Sequence, residues 1–179
     1  MRIRLIPALV LASLIIAVAG AIAGVTYLKT TGLRGQPEPG PIETQVARAV
    51  RGLAIPTDAR VRSNPLGASP EARAPGLEHF ARYCAMCHAN DGSGTHTPLG
   101  SGLYPKPPDL RAAATQQLTD GELFYIIENG VRFTGMPAFG TGKPNPAGEQ
   151  QVWELVHFIR HLPRVTTAEI EWMQGLNPL

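Results

Sequence analysis

Five consecutive residues, Cys84-Ala85-Met86-Cys87-His88, constrain this chain more than any other feature. They spell C-x-x-C-H, the attachment sequence for a c-type haem. Thiols three positions apart stand about one helical turn apart, so both reach the vinyl groups of one macrocycle. The adjacent imidazole is then pushed under the iron as its proximal ligand. A zinc site needs about four N/S ligands, and the chain has two cysteines in all. A thioredoxin-type dithiol has no use for the following histidine, and no βαβ strand pattern precedes Cys84. Both cysteines belong to the motif, so there is no disulfide framework, and an oxidising compartment must be inferred from the haem chemistry and the N-terminus. A single motif implies one haem c.

The N-terminus is a targeting or anchoring segment. Arg2 and Arg4 precede 24 uncharged residues, 5–28. As a helix that run spans about 36 Å, against about 30 Å of bilayer hydrocarbon. Ala17-Val18-Ala19 and Ala21-Ile22-Ala23 look like signal-peptidase sites. The apolar run nevertheless continues through Val25, Tyr27 and Leu28, as an uncleaved anchor would, and its length favours the anchor. In either case the remainder is exported. Arg2 and Arg4 mark the inner side, although Lys29, Arg34, Arg48 and Arg51 weaken the charge contrast.

Charge is unevenly spread. Residues 1–75 carry nine Lys/Arg against four Asp/Glu, and 76–179 carry seven against ten, so a net +2 divides into +5 and −3. The basic residues are scattered and the C-terminal part is acidic, which gives nucleic-acid binding no support.

Three segments follow: an apolar anchor or signal at 1–29, a tether at 30–74 and a haem domain at 75–179. Seven prolines and five glycines fall in 30–75, and 42–53 is the one stretch with a helical period. A spacer is the default reading; the alternative is that 60–65 packs along the domain as an extended strap. From Pro75 onward Leu77, Phe80, Ala81 and Cys84 follow i, i+3, i+4, i+7, which predicts an amphipathic helix ending in the motif. Residues 89–117 are rich in turn formers, a loop that is tolerable where a cofactor replaces core. Thr119-Asp120-Gly121-Glu122 is a capping box opening a helix that stops near Gly130. Asn145-Pro146 opens another, with Val152, Leu155, Val156 and Ile159 in one stripe before Pro163. Thr166-x-x-Glu169 starts a last short helix. The expected fold class is all-α.

These residues resemble a class I (monohaem) cytochrome c over roughly 75–163. The resemblance implies a cytochrome c fold, three to four short helices wrapped around one covalent haem, here with an N-terminal transmembrane helix. It maps the distal iron ligand onto Met136 in Gly135-Met136-Pro137, 48 residues after His88; the iron ligands are then His88 and Met136, and His/Met ligation raises the potential. Glycine allows close approach and proline stiffens the loop. Met86 lies within the attachment turn on the proximal side, Met1 in the apolar segment and Met173 beyond the crossing helix. His96 sits on the wrapping loop, and His79, His157 and His161 read as surface or packing residues. Pro108-Asp109-Leu110 resembles the family's Pro-x-Leu segment, whose proline carbonyl accepts the proximal histidine's Nδ1–H, with Pro107 one register away. Gly76 and Phe80 match its pair on the first helix, and Leu155 and Phe158 its pair on the last.

The function implied is one-electron transfer, without an enzymatic site of its own, by a carrier or complex subunit whose partners are redox proteins. The expected location is the bacterial inner membrane, single-pass, with the haem domain in the periplasm; cleavage would release a soluble periplasmic form. A haem sensor or small-molecule-binding module with a displaceable Met136 is the alternative. The membrane segment, the tether, the last helix and the acidic domain depart from the family's plain carriers.

Overall fold

The uncharged run folds as one helix, α1 (Leu5–Thr31). The computed structural model describes residues 5–177 except 33, 36, 68, 95 and 96, so Met1, Arg2, Arg4 and His96 lie outside the described residues. Within α1, residues Ile6–Thr30 are long and apolar enough to cross a membrane, a property shared by anchors and signal peptides. The chain divides into two units, Met1–Gly35 and Gln36–Leu179. Among the described residues the regular elements of the second unit are all helices, with no strand.

That unit opens with α2 (Pro41–Ala54) and the single turn α3 (Thr57–Arg60). Next comes α4 (Pro70–His79), which begins five residues ahead of Pro75 and so runs across the boundary drawn there. Its start is set by Ser69, whose hydroxyl accepts from Ala72 N at 3.1 Å. Pro75 fits inside because the carbonyl it leaves without an N–H partner belongs to Glu71, which is exposed to water. The helix then widens into a π turn, Phe80–Cys84, before closing as α5 (Ala85–His88).

A long loop with one 3₁₀ turn (Gly100–Gly102) leads to α6 (Ala113–Gln116) and α7 (Asp120–Asn129). Helix α8 (Pro146–His161) follows, and α9 (Thr167–Leu176) ends the described chain. The capping signals operate as the sequence predicts: Thr119/Glu122 and Thr166/Glu169 form reciprocal capping boxes, and Asn145 accepts from Gly148 N.

The core is the crossing of α4 and α8. A Cβ on Gly76 would stand 2.0 Å from the Glu154 carbonyl oxygen, so only glycine lets the backbones meet. Phe80 and Phe158 pack beside that point with ring centroids 5.1 Å apart and planes inclined at 55°, a favourable aromatic geometry. Helix α9 folds back on the π turn: Met173 is fully buried, and Asn177 Nδ2 donates to Ala81 O at 3.0 Å.

Of the two readings of 60–65, the structure takes the strap. Thr119 Oγ1 donates to Arg60 O at 2.8 Å, Asn64 Nδ2 to Trp153 O at 2.9 Å, and His157 Nε2 to Leu66 O at 2.8 Å. The Arg62 guanidinium sits 4.3 Å from the Phe124 ring centroid, in cation–π contact, and pairs with Glu149 at 3.2 Å. Ala59 is seated on Gly121, where a Cβ would lie 1.9 Å from the Ala59 carbonyl. A spacer reading fails here because backbone carbonyls that would otherwise face water are bonded by side chains of the domain.

Candidate haem site

The motif sits where the first helix changes pitch. In the π turn the Ala85 N–H reaches back to Phe80 O, one residue further than an α-helix allows. Cys84 is half-buried against the apolar core, and neither cysteine is in a disulfide. Burial, and then the neighbouring Cys87, push the Cys84 thiol up to about 12; burial also raises Cys87. Burial therefore favours the protonated thiols at neutral pH.

His88 closes α5, and Ala89 after it takes a left-handed φ of +61° that turns the chain sharply away. Burial draws the imidazole's pKa down, and the Pro108 carbonyl works against that shift. The neutral ring is the form that binds a metal. Its Nδ1 is buried without a well-formed hydrogen bond, as is Asn90 Oδ1. The loop that follows is laced to this turn. Gly94 N donates to His88 O at 2.9 Å and Leu110 N to Gly92 O at 2.8 Å. A Cβ on Gly94, at φ +70°, would lie 2.4 Å from Pro107 O and 2.7 Å from Pro108 O. The 107–110 segment is thus pressed onto the His88 turn, Pro108 is the residue whose carbonyl acts on the ring, and Leu110 packs against the core.

Met136 is presented from the far end of α7. Gly130 ends that helix at φ +66°, and a Cβ there would stand 2.6 Å from Pro137 C and Ala138 N. Val131 N bonds Met136 O at 3.1 Å, Phe139 N bonds Ile127 O at 3.1 Å, and Gly140 N bonds Glu128 O at 2.8 Å. Thr134 Oγ1 donates to Val131 O at 2.7 Å and accepts from Met136 N at 3.1 Å. Gly135 closes against Leu103, whose Cδ2 would lie 2.6 Å from a Cβ. Met136 and Cys84 both pack on the one apolar core.

Among the described residues, the other candidate histidines are engaged elsewhere. His79 stacks on Tyr83, His157 holds Leu66, and His161 bonds Glu169 at 3.0 Å. Met86 is exposed, and Met173, on α9, is fully buried. Among the described residues no three His, Cys, Asp or Glu side chains are grouped so as to hold a metal ion.

Sequence reasoning did not anticipate three features. Buried Thr97 donates to Cys87 O at 3.3 Å and accepts from Gly100 N at 2.9 Å, tying the motif to the loop. Arg111 joins Asp91 at 2.8 Å and Asp109 at 3.0 Å. The π turn is the third. A hydroxyl in an aperiodic loop carries no signal of its own; the spacing Asp-x-Arg offers a weak one.

A partly buried imidazole whose Nδ1 side faces the Pro108 carbonyl, two free thiols within about one turn and a braced methionine on the apolar core fit a haem. Residues 71–159 match the family described as cytochrome c oxidase, cbb3-type, subunit III, a class I c-type cytochrome domain. That span runs from α4 almost to the end of α8 and encloses the motif, Pro108, Leu110 and Met136. No curated protein matches the chain. Residues 71–159 therefore form a class I c-type cytochrome domain, and with the apolar helix α1 ahead of it the chain fits the membrane-anchored monohaem cytochromes c.

Proposed function

We propose that this domain moves single electrons through one haem c, bonded by Cys84 and Cys87 and ligated by His88 and Met136, on the extracytoplasmic face of a bacterial membrane. The observation that carries the reading is the bracing of Met136 by backbone bonds on both sides, on the same core as Cys84. When bound there, haem supplies a one-electron Fe(II)/Fe(III) couple.

The chain's own residues keep that couple closed and stiff. Gly130 and Thr134 fix the loop and so hold the Met136 backbone in place. Pro108 is placed to accept the His88 Nδ1–H and so fix the ring's orientation and basicity. Leu110, Phe80 and Phe158 belong to the apolar packing that would exclude water from a bound haem. With α1 as an anchor, encounter with a membrane-bound partner becomes quasi-intramolecular. The matching family is named for an oxidase subunit, and subunit of a redox complex is accordingly one form of the role, tethered carrier the other.

Carbon monoxide titration of the reduced, haem-loaded protein tests this. The wild type should stay six-coordinate and low-spin and take up the gas poorly at neutral pH. Met136→Ala should bind it readily while keeping haem attached on a denaturing gel. Rapid, tight binding by the wild type would favour the sensor reading. Unchanged spectra in the variant would remove Met136 as ligand, and haem lost on the gel would remove the covalent attachment.

A further inference from the structure

Helix α2 buries none of its residues, although its apolar side chains recur with the helical period. Ile42, Val46, Val50 and Leu53 are 78%, 56%, 58% and 87% exposed. At 100° per residue they fall within an arc of about 80°. The helix is nonetheless held to the domain by residues that border the stripe or lie behind it. The Tyr104 hydroxyl donates to Glu43 Oε2 at 2.6 Å. Arg51 is half-buried; burial and Arg48 draw its pKa down, and Glu122 of α7 acts the other way. Ile55, which caps the helix, is buried. The apolar stripe is therefore kept in view of solvent by contacts that have nothing to do with it.

We infer that the stripe of α2 lies on the lipid surface of the membrane that α1 spans. This rests on the anchored reading of α1. Residues 32–40 join the two helices, and nine residues reach at most about 31 Å fully extended. The bilayer is thus the one apolar surface that covalent connection keeps within range. Charge agrees with it. Residues 29–54 hold Lys29, Arg34, Arg48 and Arg51 against Glu38 and Glu43, while 76–179 are net −3. Anionic headgroups attract the first segment and repel the second. The stripe is aliphatic, without the Trp, Tyr or Arg anchors on which protein interfaces depend. Four aliphatic side chains hold a free helix to lipid only weakly; behind an anchor the contact is intramolecular, and weak attraction suffices. The domain then rides on α2 and meets the membrane in one orientation rather than swinging freely.

The haem-loaded full chain, in vesicles of phosphatidylethanolamine and phosphatidylglycerol, carries a nitroxide in turn at Ile16→Cys, Val46→Cys and Arg48→Cys. Power saturation compares relaxation by oxygen, which concentrates in lipid, with relaxation by a water-soluble nickel chelate. Oxygen should dominate at positions 16 and 46 and the chelate at 48. Oxygen at 16 with the chelate at 46 would overturn the lipid contact alone. Shielding of 46 from both relaxants would overturn it in favour of a second copy or a protein partner. The chelate dominating at 16 would end the anchored reading, and this inference with it.

Discussion

Gly130 governs the residue-scale behaviour of the site. Its φ of +66° with ψ near 180° is a conformation open in practice to glycine alone. The space where a Cβ would go is filled by the Met136–Ala138 backbone. Gly130→Ala should cost at least about 2 kcal/mol and should weaken the Met136 spectroscopic signature before the fold is lost. Thermal melts followed at the haem and by far-ultraviolet circular dichroism would show this; coincident transitions at wild-type temperature would refute it. At this scale the sequence is most legible where chemistry is local. Cys84, Cys87 and His88 declare themselves because bonding geometry demands that spacing. Met136 needs a resemblance to single it out, since a loop methionine looks like any core filler. Thr97 and Asn90 are silent because their roles depend on which carbonyls the loop brings near.

At the scale of elements the α4–α8 crossing depends on one absent methyl. Gly76→Ala would drive a Cβ into backbone that cannot rotate aside, so it should destabilise by about 3 kcal/mol or prevent folding. Gly52→Ala, in α2 with open space around it, should be neutral or stabilising by up to about 1 kcal/mol. Paired melts decide this, and equal effects would show that helix propensity rather than close approach explains both glycines. Helices with capping chemistry, α7, α8 and α9, are readable because the signal lies within four residues of each start. The start of α4 is displaced by five residues because Pro75 looks like a beginning and is tolerated as an interior residue. The π turn is invisible in the apolar period, since an extra residue in one turn leaves the flanking stripes intact.

For the whole molecule, what the sequence conceals is how distant segments join. Strap contacts bridge residues about ninety positions apart, such as Leu66 with His157, and no local pattern encodes them. The Asp91–Arg111–Asp109 cluster likewise draws two loop stretches together beside the His88 turn. Arg111 holds the Asp109 carboxyl below its usual range. A carboxylate whose pKa is depressed on folding contributes stability that is complete above its unfolded pKa, about 3.9, and disappears as pH falls through the folded value. Asp109→Asn should therefore lower stability by about 1 kcal/mol or less at neutral pH, given the exposure of the pair. The gap from wild type should close below about pH 4. Urea titrations from pH 7 to 3 measure it, and a gap that persists at pH 3 would assign the loss to something other than this charge. The strap and α9 have a broader consequence. Asn64 and Met173 both lie outside the 71–159 match, yet Asn64 bonds the Trp153 carbonyl and Met173 is buried in the same core. The segment that the family match covers is thus shorter than the unit that packs together. A fragment trimmed to the recognisable core would keep every residue proposed to hold haem and lose both the clasp at its front and the plug at its back.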